Sequence, residues 1–291
     1  MYYINPEQLN EQIAQWFKED IGDGDHTSLS SIPADAEGCQ QLIIKEDGII
    51  AGVEVGEQVI RFFDPTLRIE RFINDGSQVK KGDIVFKVYG KVRSLLQVER
   101  TMLNIMQRMS GIATTAHRYQ KLLEGTSCRV LDTRKTTPGL RLLEKEAVRI
   151  GGGTNHRIGL YDMILLKDNH VDFAGGTANA INRAYQYCID NKKDLKIEIE
   201  VRNLDELEQA LATGKVDRIM FDNFTPEKTK EAVKIVKQWE AQTGRYVETE
   251  SSGGITQETI RDYALSGVDF VSVGALTHSF KSLDMSFKAV K

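Results

Sequence analysis

The sequence predicts an α/β protein in which a first domain of short strands and helices precedes a (β/α) barrel with parallel strands. Three observations carry this. The first third reads as brief β-branched runs broken by glycine, whereas from residue 128 onward strand-like and helix-like segments alternate. Repeated strand-helix units make a parallel sheet covered by helices, either open and doubly wound or closed as a barrel. Nearly every strand of this second part ends on a polar group, and strand C-termini that gather functional groups around one mouth favour the barrel.

In chain order, MYYINPEQLNEQIAQWFKED is amphipathic and acidic, without the basic and apolar regions of a signal peptide. Residues 41–63, 67–76 and 83–90 are expected as strands and tight turns, and 94–124 as a long helix or helix pair broken at Gly111. Strands follow at CRVLD (128–132), DMILLK (162–167), KIEIEV (196–201), DRIMFD (217–222), YVETE (246–250) and DFVSVG (269–274). Between most of them lie TANAINRAYQYCIDN, NLDELEQALATG, TPEKTKEAVKIVKQWEAQTG and TQETIRDYALSG, several opening on Thr or Asn and closing on Gly as helix caps do.

At 291 residues, with 41% hydrophobic and 27% charged side chains, the chain can bury a large core. A net charge of -4 provides no general basic field, so neither nucleic acid nor an anionic membrane is expected as a partner. Cys39, Cys128 and Cys188 are odd in number and far apart, without metal or redox spacing, as in the core thiols of a reducing compartment. No stretch approaches a membrane span, and a cytoplasmic location is expected. Trp16, Trp239 and Phe62 are expected in the core, and His26 is expected to order a turn.

The chemistry concentrates in 133–170. TRKTTPGLR supplies Arg134, Lys135 and Arg141, NHR supplies His156 and Arg157, and KDNH supplies Lys167 and His170, beside Gly151, Gly152 and Gly153. A single lysine or arginine in a loop is an ordinary surface charge. Seven such groups gathered at one mouth would repel by about 3 kcal/mol per pair at roughly 5 Å and an effective dielectric near 20. Charge-assisted hydrogen bonds to a ligand bearing several negative groups return about 1.5–3 kcal/mol each. Glu200 and Asp222 end consecutive strands and form a carboxylate pair suited to Mg²⁺, sugar hydroxyls or a developing positive charge. Glu198 shares the face of Glu200, and alternation alone leaves open which reaches deeper. The loops SSGGI and SVGALTH follow the last two strands, where barrels commonly hold phosphate. Together these point to an enzyme handling a phosphorylated sugar and a second anion with Mg²⁺.

The stretch 132–170, with EDIGDGDHTS (19–28), ERTMLNIMQRMSGIAT (99–114), IEIEV (197–201), MFDNF (220–224), SSGGI and GVDFVSVGALTHS (267–279), closely resembles the quinolinate phosphoribosyltransferase family. The resemblance implies an N-terminal α/β sandwich domain over 1–113 and an irregular (β/α) barrel over 114–291. The last residues, about fifteen, would pack back on the first domain. It further implies transfer of ribose 5-phosphate from phosphoribosyl pyrophosphate to quinolinate with decarboxylation, giving nicotinate mononucleotide for NAD synthesis. Arg134, His156, Arg157 and Lys167 would hold the two carboxylates, with the glycines letting the chain lie close to the pyridine. Lys135 would meet phosphoribosyl pyrophosphate, Glu200 and Asp222 the ribose and Mg²⁺, and Ser252, Gly253 and Gly274 the phosphate. Lys135, Lys167, Glu200 and Asp222 would be the catalytic groups. Arg100 would enter the site of a partner subunit, implying a homodimer or a higher assembly of dimers. Whether Arg141, Lys145 and His170 touch ligand or brace those that do stays open. Ser251 and Arg202 depart from the usual family pattern without touching a proposed contact.

Three rivals remain at this stage. A paralogous group associated with molybdate transport lacks the complete lysine-containing motif that KDNH keeps. A Schiff-base barrel aldolase would use Lys167 as nucleophile. INDGSQVKKGDIVFKVYG (73–90) looks like half of a lipoyl or biotinyl carrier, but Lys80 and Lys81 run straight into Gly-Asp, so the segment is expected as scaffold.

Overall fold

The structure, a computed structural model, describes residues 4–290. Its elements in chain order are α1 Pro6–Ile21, α2 His26–Ser31, β1 Glu37–Ile44, β2 Gly48–Ile49, α3 Val53–Phe63, β3 Arg68–Arg71, β4 Gln78–Val79, β5 Ile84–Lys91, α4 Val92–Leu122, β6 Arg129–Leu131, α5 Arg141–Ile150, β7 Ile164–Leu166, α6 Asp168–Ala174, α7 Thr177–Asp190, β8 Ile197–Val201, α8 Leu204–Thr213, β9 Arg218–Asp222, α9 Pro226–Thr243, β10 Glu248–Ser252, α10 Ile260–Leu265, β11 Phe270–Ser272, α11 Ala275–His278 and β12 Met285–Ala289. They fall into two compact units, one of 4–117, 137–152 and 279–290, the other of 118–136 and 153–278.

The first unit is built on an antiparallel sheet ordered β12-β1-β5-β3. Strand β5, from the carrier-like segment, is central in it. Lys80 and Lys81 sit in the preceding turn, with their backbone N–H groups bonded to Asp83 and Asp47. α1 opens on Asn5, whose side chain accepts from the Glu7 N–H, and buries Leu9, Ile13 and Phe17. Asp25 caps α2 through the Ser28 N–H, so the turn before His26 is held by its neighbour.

Three expectations fail in this unit. Residues 53–63 form α3 rather than a strand, although Val53, Val55, Val59 and Ile60 are β-branched. Their buried positions, Val55, Gly56, Val59 and Ile60, recur at helical spacing, and Asp75, distant in sequence, accepts from both the Val53 and the Glu54 N–H groups at 2.9 and 3.1 Å. A remote carboxylate therefore supplies the cap that the local sequence lacks, and packing overrides β-propensity. The second correction concerns Gly111, which does not break α4. The helix runs 31 residues through it. A Cβ there would overlap the Lys281 carbonyl and lie 2.9 Å from Ser282 Cα, so this glycine serves close backbone packing. Phe62, expected in the core, is 40% exposed and lies stacked at 6.4 Å from Phe17.

The second unit carries a six-stranded parallel sheet ordered β6-β11-β10-β9-β8-β7. Every predicted strand is present. Thr154 adds a further stave beside β6, its N–H donating to Val130 O and its carbonyl accepting from the Asp132 N–H. Sheet pairing thus runs from Thr154 through β6 and round to β7, which is the irregular barrel. Caps match the sequence reading: Asn203 accepts from Glu206 N–H, Thr225 from Lys228 N–H, and Gly214 and Gly244 close their helices in the left-handed conformation. α10 begins only at Ile260, because 256–259 form a turn closed by Thr259. One sheet face presents Val130, Ile199, Ile219, Phe221 and Val271, all fully buried. The opposite face, by strand alternation, holds Glu198, Glu200, Arg218, Met220, Asp222, Glu248, Glu250 and Ser252. A polar interior inside an apolar sleeve is what positions the site.

Candidate active site

The deepest part of the site consists of charges that answer one another. Glu198 and Glu250 are both wholly buried. His156 Nε2 lies 2.9 Å from Glu198 Oε2 and 3.5 Å from Glu250 Oε2. Arg218, also buried, sits 2.9 Å from Glu248 and 3.4 Å from Glu250, with its guanidinium 4.5 Å from the Phe270 ring centre. Burial pushes the Glu198 carboxyl up to about 7 against the pull of Arg218. Burial and then repulsion by Glu198 push Glu250 to about 7 as well. One imidazole and two carboxylates this close are able to hold a divalent cation. With Arg218 as counter-charge and a carboxyl proton retained, the cluster is also balanced on its own.

The segment carrying His156 is fixed by Asp132, which ends β6. This carboxylate is fully buried and accepts from the His156 N–H at 2.9 Å and from the Asn155 side chain at 2.6 Å. His156 Nδ1 in turn accepts from the Arg157 N–H at 2.7 Å. The imidazole therefore bridges the buried acids and the backbone that carries Arg157. Its neighbouring glycines meet demands of the chain itself. A Cβ on Gly151 would overlap the Ala113 carbonyl, and Gly152 has φ +89°, so chain packing and turning by themselves account for glycine at both positions.

Above the floor the balance changes. Arg157 donates to Met163 O at 3.1 Å, and burial first, then the charge of Arg134, hold its pKa below the usual arginine range. Arg134 has a buried Nε with no hydrogen-bond partner. Lys167 Nζ lies 2.8 Å from Glu200 Oε1, and since Glu198 is wholly buried while Glu200 is partly exposed, Glu198 is the deeper of the two. His170 Nδ1 accepts from the Lys167 N–H at 3.0 Å, so it braces the turn into α6. Asp222 Oδ2 accepts from Asn223 Nδ2 at 2.9 Å and pairs in register with Ser252. Lys135 is exposed; a Cβ on Gly274 would sit 3.2 Å from its Cδ, and its carbonyl accepts from Thr277 Oγ1.

The second unit thus joins Arg134, His156, Arg157, Lys167 and Glu200 in one electrostatic group, with Asp222, Ser252 and Gly253 on adjacent strand ends and Lys135 against Gly274. Arg100, exposed on α4, and Arg141 and Lys145 on α5 belong to the first unit. Lys145 is wholly buried. The strand-end acids Asp132 and Glu250, expected around the mouth, are wholly buried as support, and Arg218, which sequence reasoning missed, is the counter-charge of Glu250. The signal was present in the i, i+2 polar residues of β8 and β10 and in Arg218 and Asp222 at the two ends of β9, whose common face only the register discloses.

Family models described as quinolinate phosphoribosyl transferase, N-terminal domain, and quinolinate phosphoribosyl transferase, C-terminal domain, match residues 25–110 and 112–288. A quinolinate phosphoribosyltransferase [decarboxylating] 1b of Nicotiana tabacum is 43% identical over 279 residues, covering 93% of this chain and 79% of that protein. Among solved structures, NadC from Streptococcus pyogenes superposes with a TM-score of 0.91 at 37% identity over 99% of each chain. The nicotinate-nucleotide pyrophosphorylase from Francisella tularensis gives 0.90 at 38%, covering 99% of this chain and 98% of that one.

Proposed function

Because the chain belongs to the quinolinate phosphoribosyltransferase family, we propose how its second unit divides the work of that reaction. The enzyme transfers ribose 5-phosphate from phosphoribosyl pyrophosphate to quinolinate with decarboxylation, yielding nicotinate mononucleotide, pyrophosphate and CO₂ for NAD biosynthesis. Arg134, Arg157 and Lys167 hold the two carboxylates of quinolinate, and His156 supports them from beneath. The single observation that carries this is the buried, unpartnered Arg134 Nε beside the charge of Arg157. Two cations kept this close gain from a doubly charged guest.

Lys135 meets phosphoribosyl pyrophosphate, and Ser252, Gly253 and Gly274 lie at its phosphate. Glu200 and Asp222 offer oxygen donors only, at strand ends open to water, which suits the hard cation Mg²⁺ better than the buried, partly nitrogenous cluster below. Bound there, Mg²⁺ supplies charge neutralisation for the departing pyrophosphate. The carboxylates of Glu200 and Asp222 stabilise the positive charge that grows on the ribose, and the pyridine nitrogen attacks as a free nucleophile without a general base. Loss of the 2-carboxylate follows from the electron demand of the pyridinium, so the protein chiefly orients and neutralises. Lys167 Nζ is engaged by Glu200 at 2.8 Å, which disfavours a Schiff-base role.

Arg100 is exposed on α4, as a side chain lent to a partner subunit in a homodimer must be. Among the described residues no helix is long and apolar enough to cross a membrane. Purified protein given quinolinate, phosphoribosyl pyrophosphate and Mg²⁺ should release CO₂ and nicotinate mononucleotide in equal amounts. Retention of the 2-carboxylate in the product would refute the assignment.

A further inference from the structure

Asn223 follows Asp222 at the end of β9, and its backbone φ of +55° lies in the left-handed region that side chains avoid. Among the described residues only Lys192 shares this state outside glycine. Three contacts accompany the strained turn. Asn223 Nδ2 donates to Asp222 Oδ2 at 2.9 Å, and its backbone N–H donates to the Ser252 carbonyl at 2.8 Å. Its side chain also lies where a Cβ on Gly253 would be: such an atom would overlap Oδ1 and stand 3.1 Å from Asn223 Cα. The turn is anchored on both sides. Phe224 is buried and stacked at 5.5 Å on Phe221, its carbonyl accepts from Tyr263 Oη, and Thr225 caps α9.

We propose that Asn223 is a positioning residue that locks the Asp222 carboxylate to the Ser252–Gly253 loop, so that the acid and the phosphate cradle hold one fixed spacing for phosphoribosyl pyrophosphate. The inference rests on the role given above to Asp222. Three demands meet at this position: tolerance of positive φ, an amide donor short enough to reach the preceding carboxylate, and no negative charge beside it. Glycine meets the first and third, aspartate the first alone, and asparagine all three.

That ranking supplies the test. Asn223→Gly relieves the backbone and removes the amide, whereas Asn223→Asp keeps the shape and replaces the donor with a second carboxylate. Both should melt at or above the wild-type temperature, measured by circular dichroism, except for a small loss in the aspartate variant from charge repulsion. Both should raise the calorimetric Kd for phosphoribosyl pyrophosphate with Mg²⁺ and lower kcat by about 10- to 100-fold, the usual consequence of a misplaced reacting group. The KM for quinolinate should stay near the wild-type value. An Asn223→Gly enzyme with unchanged Kd and kcat would reduce the residue to a turn former and overturn the proposal. So would one that melts well below wild type, since glycine removes the strain. Asp222→Ala, measured alongside, separates the two readings: an inactive Asp222→Ala beside an unimpaired Asn223→Gly defeats only the locking role, whereas an unimpaired Asp222→Ala defeats the role of Asp222 and the lock with it.

Discussion

At the depth of Arg218 the interior of the barrel sets opposite charges within ion-pair distance, although both Glu198 oxygens and Glu250 Oε1 make no hydrogen bond, whereas beyond the strand ends Arg134 and Arg157 repel each other and Arg134 Nε has no acceptor. The two regions are made of similar residue types. They differ in stoichiometry: the floor pairs two buried carboxylates with an arginine and an imidazole, and the mouth sets cations together with Glu200 already engaged by Lys167. A self-compensated cluster contributes rigidity, and an under-compensated one contributes affinity for anions. Substitutions at the two levels should therefore fail in different ways.

The largest effect is expected at the mouth. Arg134→Ala should lower kcat/KM for quinolinate by about 1,000-fold, the loss of roughly two charge-assisted hydrogen bonds, with little change in melting temperature. An equal loss of stability would erase the distinction. At the floor, Glu250→Ala leaves Arg218 with Glu248 as its remaining close acid and opens a cavity, and should cost about 3 kcal/mol of unfolding stability, read by denaturant titration.

A subtler sign of the floor is its pH response. Glu198 and Glu250 keep protons in the folded chain that the unfolded chain gives up near 4.5, since their folded values stand near 7. Their contribution to stability is complete below the unfolded value and is lost as pH rises from about 4.5 through about 7. Glu250→Gln should flatten that decline, by less than the ~1.4 kcal/mol per pH unit that one proton yields, because the two groups titrate together. A slope identical to wild type would contradict the burial argument. The smallest effect belongs to Arg202, whose guanidinium is met locally by Asp172 and Glu206. Arg202→Ala should leave the KM for quinolinate and the melting temperature unchanged, and a raised KM would extend the uncompensated region to the rim.

This contrast was only half legible in the sequence. The six strands were readable because short apolar runs carried a polar residue or glycine at or next to their ends and several intervening helices carried Thr, Asn and Gly caps. The cations of 134–167 were readable because motif and strand end coincide. The floor was not, because alternation places Glu198 and Glu200 on one face without saying how deep each lies, and depth depends on the register of β8 against β9. α3 was misread because its cap, Asp75, is remote in sequence. Gly111 was misread, and the packing role of Gly151 missed, because each accommodates backbone from a distant part of the first unit: the 281–282 chain and the α4 carbonyl of Ala113.

The excess positive charge of the mouth is the claim on which the rest depends, and a substrate that differs by one carboxylate tests it most directly. With phosphoribosyl pyrophosphate and Mg²⁺ held constant, kcat/KM for quinolinate should exceed that for nicotinate by about 100-fold or more, the worth of one or two charge-assisted contacts. Equal use of nicotinate would mean that Arg134 and Arg157 do not act as a dicarboxylate clamp.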